Sequence, residues 1–69
     1  MKISARNQLA GTIVEVHKGA TTSHVVIDVG GGTRVFASIT NEAVAELGLE
    51  KGKAATALIK ASDVMIAVD

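Results

Sequence analysis

β-Branched and alternating apolar residues mark three short stretches in the first half of the chain. Such residues favour pleated strands, and they predict strands over residues 9–17, 24–29 and 33–39. Gly30-Gly31-Gly32 stands between the second and third stretches. Glycine reaches positive φ without steric cost, so this triplet predicts a hairpin turn.

The period of the apolar residues changes after residue 40. Ala43, Val44 and Leu47 recur at helical spacing. Thr40 or Asn41 can cap the N-terminus of a helix, and the glycine at position 48 suits the position that follows a helix C-terminus. These signals together predict one short helix, from residue 41 to residue 47.

Two further strands are predicted over residues 55–61 and 64–68, separated by Ser62-Asp63. The order β-β-β-α-β-β is that of the oligonucleotide/oligosaccharide-binding (OB) fold, a small Greek-key barrel. We therefore expect an all-β fold with one short helix, built as a five-stranded OB-fold-like barrel. Sixty-nine residues leave room for a single domain, which we place over residues 1–69.

The chain is short for its 48% hydrophobic content. Small domains bury a limited fraction of their surface and are commonly stabilised by disulfides, a structural metal or oligomerisation. There is no cysteine, and two histidines cannot form a structural zinc site without carboxylate help. Several strands also carry apolar residues on both faces, as Phe36 does opposite Val35 and Ala37. We therefore expect a homo-oligomer whose subunits cover these faces.

Charge and composition count against several classes of function. The seven basic and seven acidic residues balance, and Phe36 is the single aromatic residue, so nucleic-acid binding is not expected. No spacing pairs a serine with a histidine, so we expect no enzyme. The N-terminus lacks a signal-peptide core and no apolar run approaches the roughly 20 residues that span a bilayer, so we expect a cytoplasmic protein with no membrane partner.

Hydrogen-bond donors beside isolated cations are the remaining candidates for chemistry. They occur at Ser4 and Arg6, at Thr40, along Lys60-Ala61-Ser62, and along a hydroxyl-rich loop at residues 19–23. Such donors suit a tetrahedral dianion such as molybdate, tungstate or sulfate, which only accepts hydrogen bonds. Taken singly, each segment is more simply explained as a turn or a cap. A structural assembly module, with Arg6 and Lys60 in salt bridges, and a nucleic-acid-binding barrel, by fold analogy alone, therefore stay open as alternatives.

The opening Ile3-Ser4-Ala5-Arg6-Asn7-Gln8-Leu9, followed by Gly11, resembles that of the molbindin (Mop) family and of the related TOBE/Mop domains in molybdate regulators and importers. Ser38-Ile39-Thr40-Asn41-Glu42 and Ile59-Lys60-Ala61-Ser62 resemble later family motifs, so the resemblance spans essentially the whole chain. It implies an OB-like fold and a hexamer, arranged as a trimer of dimers. It also implies storage or buffering of molybdate and tungstate between subunits, for the supply of molybdenum cofactor.

The resemblance also implies which residues bind the oxyanion. The expected main site consists of Ser4, Arg6, Thr40, Lys60, Ala61 and Ser62. A second group, expected at additional sites between subunits, consists of Gly19, Ala20, Thr21, Thr22 and Ser23. Some related domains carry a serine at the position of Ala43, so one hydroxyl donor of the family pattern is missing here. No covalent cofactor and no bare metal cation are expected.

Overall fold

The computed structural model describes all 69 residues as one curled antiparallel sheet with a short helix. The strands follow the order β3-β2-β1-β4, so that β3 and β4 are the two edges. The elements are β1 (Asn7–Lys18), β2 (Thr22–Gly30), β3 (Thr33–Thr40), α1 (Asn41–Leu47), β4 (Ala54–Ile59) and a 3₁₀ turn (Ala61–Asp63). The expected architecture, mostly β with one helix between the third and fourth strands, is confirmed. Neither helical segment has the length and apolar character needed to cross a bilayer.

Strand β1 is a central strand of the sheet, because it pairs with β2 along one side and with β4 along the other. A bulge between Ile13 and Glu15 interrupts its ladder with β2. Bulges bend a strand and increase its twist, which helps the sheet curl. Just before the bulge, Gly11 lies so close to β2 that a Cβ atom there would stand 2.3 Å from the carbonyl oxygen of Asp28.

The predicted hairpin is present between β2 and β3. Gly30 pairs with Thr33, which leaves Gly31 and Gly32 as the two turn residues, with φ of 61° and 81°. Positive φ at both central positions is the type I′ geometry that matches strand twist. The Asp28 side chain accepts a 2.8 Å hydrogen bond from the amide of Gly30, where the ladder shifts register.

The predicted helix also forms with its predicted caps. The Thr40 hydroxyl accepts a 3.1 Å hydrogen bond from the amide of Ala43. At the other end Gly48 adopts left-handed φ and ψ of 62° and 41°. The amide of Leu49 returns to the carbonyl of Val44 at 3.1 Å, and both of these side chains pack against the core.

The core is small, since only six of the 69 residues are buried. Ile13, Val25, Ile27 and Ala57 form its one cluster, on the inner face of the curled sheet. Beside this cluster an open groove of about 500 Å³ remains, and 13 of its 14 lining residues are hydrophobic. Both edge strands line this groove, β3 through residues such as Val35 and β4 through most of its length.

The predicted fifth strand is wrong for this structure. The fourth strand ends at Ile59, and the chain then enters the 3₁₀ turn and does not return to the sheet. Residues 64–68 therefore pair with neither β3 nor β4, although both edges are free. Their apolar side chains face solvent, with Met65 92% and Val68 90% exposed. The sheet thus has four strands, and the groove between its edges stays open.

Candidate functional site

The first cluster of candidate residues lies where β1 begins and β4 ends. The last pair of the β1–β4 ladder joins Asn7 to Ile59, and the Asn7 side-chain amide donates to the Ile59 carbonyl at 3.1 Å. Arg6 directly precedes Asn7, and Lys60 directly follows Ile59. This antiparallel register therefore brings the two cations to the same end of the sheet.

The cations of this cluster are available for a ligand. Neither Arg6 nor Lys60 forms an ion pair within the chain, since the two ion pairs involve other residues. Ser4 lies two residues before Arg6, and Ala61 and Ser62 begin the 3₁₀ turn that follows Lys60. All five residues are exposed. The cluster thus offers a guanidinium, an ammonium, two hydroxyls and backbone amides at one place.

Thr40 lies elsewhere, at the end of β3. It pairs with Thr22 at the start of β2, and its hydroxyl caps α1 by accepting a hydrogen bond from the Ala43 amide. A threonine hydroxyl that accepts one bond still has its own proton to donate. The Ala43 amide, in contrast, is already engaged in the cap, so it does not replace the serine hydroxyl of the family pattern.

The hydroxyl-rich loop surrounds the side chain of Asn41. The Asn41 amide group donates to the carbonyls of Gly19, at 3.0 Å, and Ala20, at 3.4 Å. Its oxygen accepts a 2.6 Å hydrogen bond from the hydroxyl of Ser23, which is only 1% exposed. Ser23 therefore has no free donor on its side chain. Thr21 and Thr22 are exposed, with hydroxyls that make no hydrogen bond within the chain.

Asn41 is the residue that sequence reasoning missed here, because it was considered only as a helix cap. The available signal was its chemistry, since an amide side chain is both a double donor and an acceptor. As the first residue of α1, next to Thr40, it also joins the start of the helix to the loop through its side chain.

The two clusters stand at opposite ends of β1. Arg6 and Lys60 lie beside Asn7, whereas Lys18, at the other end, pairs with Ser23 next to the loop and Thr40. Twelve residues of strand span up to about 36 Å at 3.3 Å per residue. Within one chain, Thr40 therefore does not meet the other five candidates for the main site.

Metal-binding geometry is absent from the fold. No group of three or more histidine, cysteine, aspartate or glutamate residues lies close enough to hold a metal ion. His17 and His24 do face each other across β1 and β2, and Glu15 lies 3.7 Å from His17. These three residues do not form such a group, so the donor clusters remain the candidate ligand sites.

Residues 3–66 match the family model of the TOBE domain. The chain belongs to this family. Over its whole length this TOBE domain is also similar to a protein of Haemophilus influenzae named "Probable molybdenum-pterin-binding protein". The two chains are 49% identical over 69 residues, which is 100% of each.

Solved structures of related proteins share the fold of this TOBE domain. MopII from Clostridium pasteurianum superimposes with a TM-score of 0.91 at 43% identity, over 97% of this chain and 100% of MopII. The cytoplasmic molybdate-binding protein ModG, with molybdate bound, gives a TM-score of 0.90 at 46% identity. That match covers 94% of this chain and 46% of ModG. The similarity confirms the resemblance to Mop proteins that the sequence motifs indicated.

Proposed function

We propose that this protein binds molybdate, and also tungstate, as an intact tetrahedral oxyanion. We propose further that it is not an enzyme but a cytoplasmic store or buffer, which supplies the anion for molybdenum cofactor synthesis. The observation that carries the proposal is the pairing of Asn7 with Ile59, which sets Arg6 beside Lys60 with no counter-ion in the chain. The molybdate held by ModG supports the choice of anion. The proposed main site consists of Ser4, Arg6, Thr40, Lys60, Ala61 and Ser62.

The chemistry of the first cluster suits a dianion. Two positive charges balance the two negative charges, and the planar guanidinium of Arg6 can bind two oxygens while Lys60 acts as a point charge. The hydroxyls of Ser4 and Ser62 and the backbone amides beside them only need to donate, since molybdate at neutral pH has no proton to give.

A homo-oligomer forms part of the proposal, because one chain does not bring Thr40 to Arg6. A second copy that places its Thr40 end against the Arg6 end of the first would complete the site between subunits. The open apolar groove between β3 and β4 and the detached apolar residues 64–68 support such an assembly. An extended segment can add to a free sheet edge. We propose that residues 64–68 of one copy fill the groove of another, in the hexamer of three dimers that the family resemblance implies.

Calorimetric titration with molybdate tests the binding site, with sulfate as the control anion. Truncating one partner of a buried charge pair costs roughly 2–5 kcal/mol, so Arg6→Ala and Lys60→Ala should each weaken molybdate binding by about that amount. Arg34→Ala and Lys51→Ala remove the same charges at exposed positions outside the site and should bind as the parent does. Unchanged affinity in both site variants would contradict the site. Absence of heat from the parent protein with either anion would favour a structural assembly module.

Sedimentation tests the assembly independently of the anion. The full chain should sediment as an oligomer at micromolar concentration, and a chain that ends at Asp63 should dissociate because its groove stays open. A folded 7.0 kDa species of the full chain would contradict the oligomer. An intact oligomer of the shortened chain would contradict the role of residues 64–68.

A further inference from the structure

The loop at residues 19–22 has all four of its carbonyl oxygens occupied. Asn41 supplies three of the partners: its side-chain amide donates to Gly19 and Ala20, and its backbone amide donates to Thr21 at 3.0 Å. The fourth carbonyl, that of Thr22, accepts from the amide of Gly19 at 2.8 Å. A carbonyl oxygen carries partial negative charge, so a loop with free carbonyls would repel an anion.

Four donors of the same loop are not occupied. The backbone amides of Ala20 and Thr21 make no hydrogen bond within the chain, and neither do the hydroxyls of Thr21 and Thr22. The loop therefore presents two amides and two hydroxyls as donors while its acceptors are engaged. Amide and hydroxyl donors of this kind are what an oxyanion, which only accepts hydrogen bonds, requires.

Asn41 can keep this arrangement only if its amide is oriented correctly. The two nitrogen protons must face the carbonyls of Gly19 and Ala20, and the oxygen must face away from them. The carbonyls of Gly19 and Ala20 fix that choice, because they can only accept. The hydroxyl of Ser23, which is only 1% exposed, supports it by donating to the Asn41 oxygen at 2.6 Å. A flipped amide would place the oxygen against two carbonyls and leave the buried hydroxyl without its acceptor.

We propose that Asn41, supported by the hydrogen bond from Ser23, is a positioning residue that fixes the loop at residues 19–22 as an oxyanion donor by holding its carbonyls away from the ligand. This inference rests on the proposed oxyanion-binding function and assigns a role to a residue outside the proposed main site. It also gives Ser23 a supporting role, where sequence reasoning expected it to contact the anion.

Amide NMR spectra of the full-length oligomer, recorded during titration with sodium molybdate, test the proposal. In the parent protein, molybdate should shift the amide signals of Ala20 and Thr21 as well as those of Ala61 and Ser62. In Asn41→Ala the first pair should lose its response, or respond at molybdate concentrations about 10–100-fold higher, which is the loss seen at metal sites when a residue that orients a ligand is removed. The second pair should respond as in the parent.

Ser23→Ala provides a milder second variant, because it removes one hydrogen bond and leaves the Asn41 amide in place. It should weaken the response of Ala20 and Thr21 less than Asn41→Ala does. Glu46→Gln, on an exposed helix position, is the control and should leave both responses unchanged. If Asn41 only stabilised the fold, Asn41→Ala would lower the unfolding midpoint. The molybdate response of Ala20 and Thr21 would then change no more than that of Ala61 and Ser62.

The outcomes distinguish this proposal from the proposed function. A parent-like response of Ala20 and Thr21 in both variants would overturn the positioning role. A parent protein in which molybdate shifts Ala61 and Ser62 but not Ala20 and Thr21 would overturn it as well, while leaving the main site intact. A parent protein with no response anywhere would remove the proposed function together with this inference.

Discussion

Replacing Gly11 with alanine should separate β1 from β2. The new Cβ atom would stand 2.3 Å from the Asp28 carbonyl oxygen and 2.9 Å from both the carbonyl carbon of Asp28 and the Cγ2 of Ile27. Ordinary contact begins at 3.4 Å, so β2 must retreat by about 1.1 Å. A gap of about 0.5–1 Å already loses a quarter to a half of the van der Waals attraction between neighbouring atoms. The obstacle is backbone and cannot move by rotating a side chain.

The expected cost follows from the ladder that surrounds this contact. A hydrogen bond that begins near 2.9 Å is broken by such a retreat, and losing the two nearest ladder bonds costs about 1–3 kcal/mol. Overpacking of the neighbouring Ile27 costs about another 1–3 kcal/mol. Alanine also lowers the conformational entropy of the unfolded chain, which offsets only about 0.4–1 kcal/mol of this loss of stability. Gly11→Ala should therefore lower the free energy of unfolding by about 3 kcal/mol, within a range of about 1–5 kcal/mol.

Urea denaturation followed by circular dichroism measures this change, with all variants at one protein concentration because an oligomer's stability depends on it. The midpoint should fall by about 1 M or more, since small proteins lose about 1–3 kcal/mol per molar urea. Ala10→Ser adds one heavy atom at the exposed neighbouring position and should change stability by no more than about 0.5 kcal/mol. A midpoint for Gly11→Ala at or above that of the parent would refute the close approach of the strands.

Substitutions at three further positions test the core and the two helix caps by the same denaturation assay. Ile13→Ala should lower the free energy of unfolding by about 2–5 kcal/mol and Ile13→Val by about 0.5–1.5 kcal/mol, because Ile13 is 1% exposed; equal effects would contradict its place in the core. Gly48→Ala should cost about 1–2 kcal/mol at its left-handed φ, and Gly48→Asn less; no difference between the two would count against that conformation. Thr40→Ala should cost about 1 kcal/mol through the lost cap, whereas Thr40→Ser should keep it; a serine variant as unstable as the alanine variant would contradict capping by the hydroxyl.

Local signals in the sequence predicted the parts of the fold that depend on neighbouring residues. The glycine triplet predicted the hairpin turn, because the positive φ values that such a turn needs are open to glycine at little cost. Thr40 and Gly48 predicted the two ends of the helix for equally local reasons. Residues 64–68 have the composition of a strand, but composition does not say which edge a strand joins, or whether that edge belongs to the same chain.

The candidate site was predictable in its chemistry and not in its geometry. The motifs around Arg6 and Lys60 indicated an oxyanion, but the register of β1 against β4 is what brings these two residues to one end of the sheet. The separation of Thr40 from them follows from the length of β1, which no motif encodes. The part played by Asn41 depends on contacts with residues about 20 positions away, so the spacing of the motifs gave no indication of it.

The two donor clusters are held by hydrogen bonds that join residues at different distances along the sequence. Asn41 reaches Gly19 across 22 positions, whereas the bond from Asn7 to Ile59 closes 52 positions. Each doubling of a closed loop costs about 0.6 kcal/mol more entropy, and long-range pairings are the slower ones to form. During synthesis the chain from β1 to α1 is also complete before β4 emerges. We therefore expect the donor loop beside α1 to form before the cluster of Arg6 and Lys60, and we expect fraying of β4 to disrupt that cluster first.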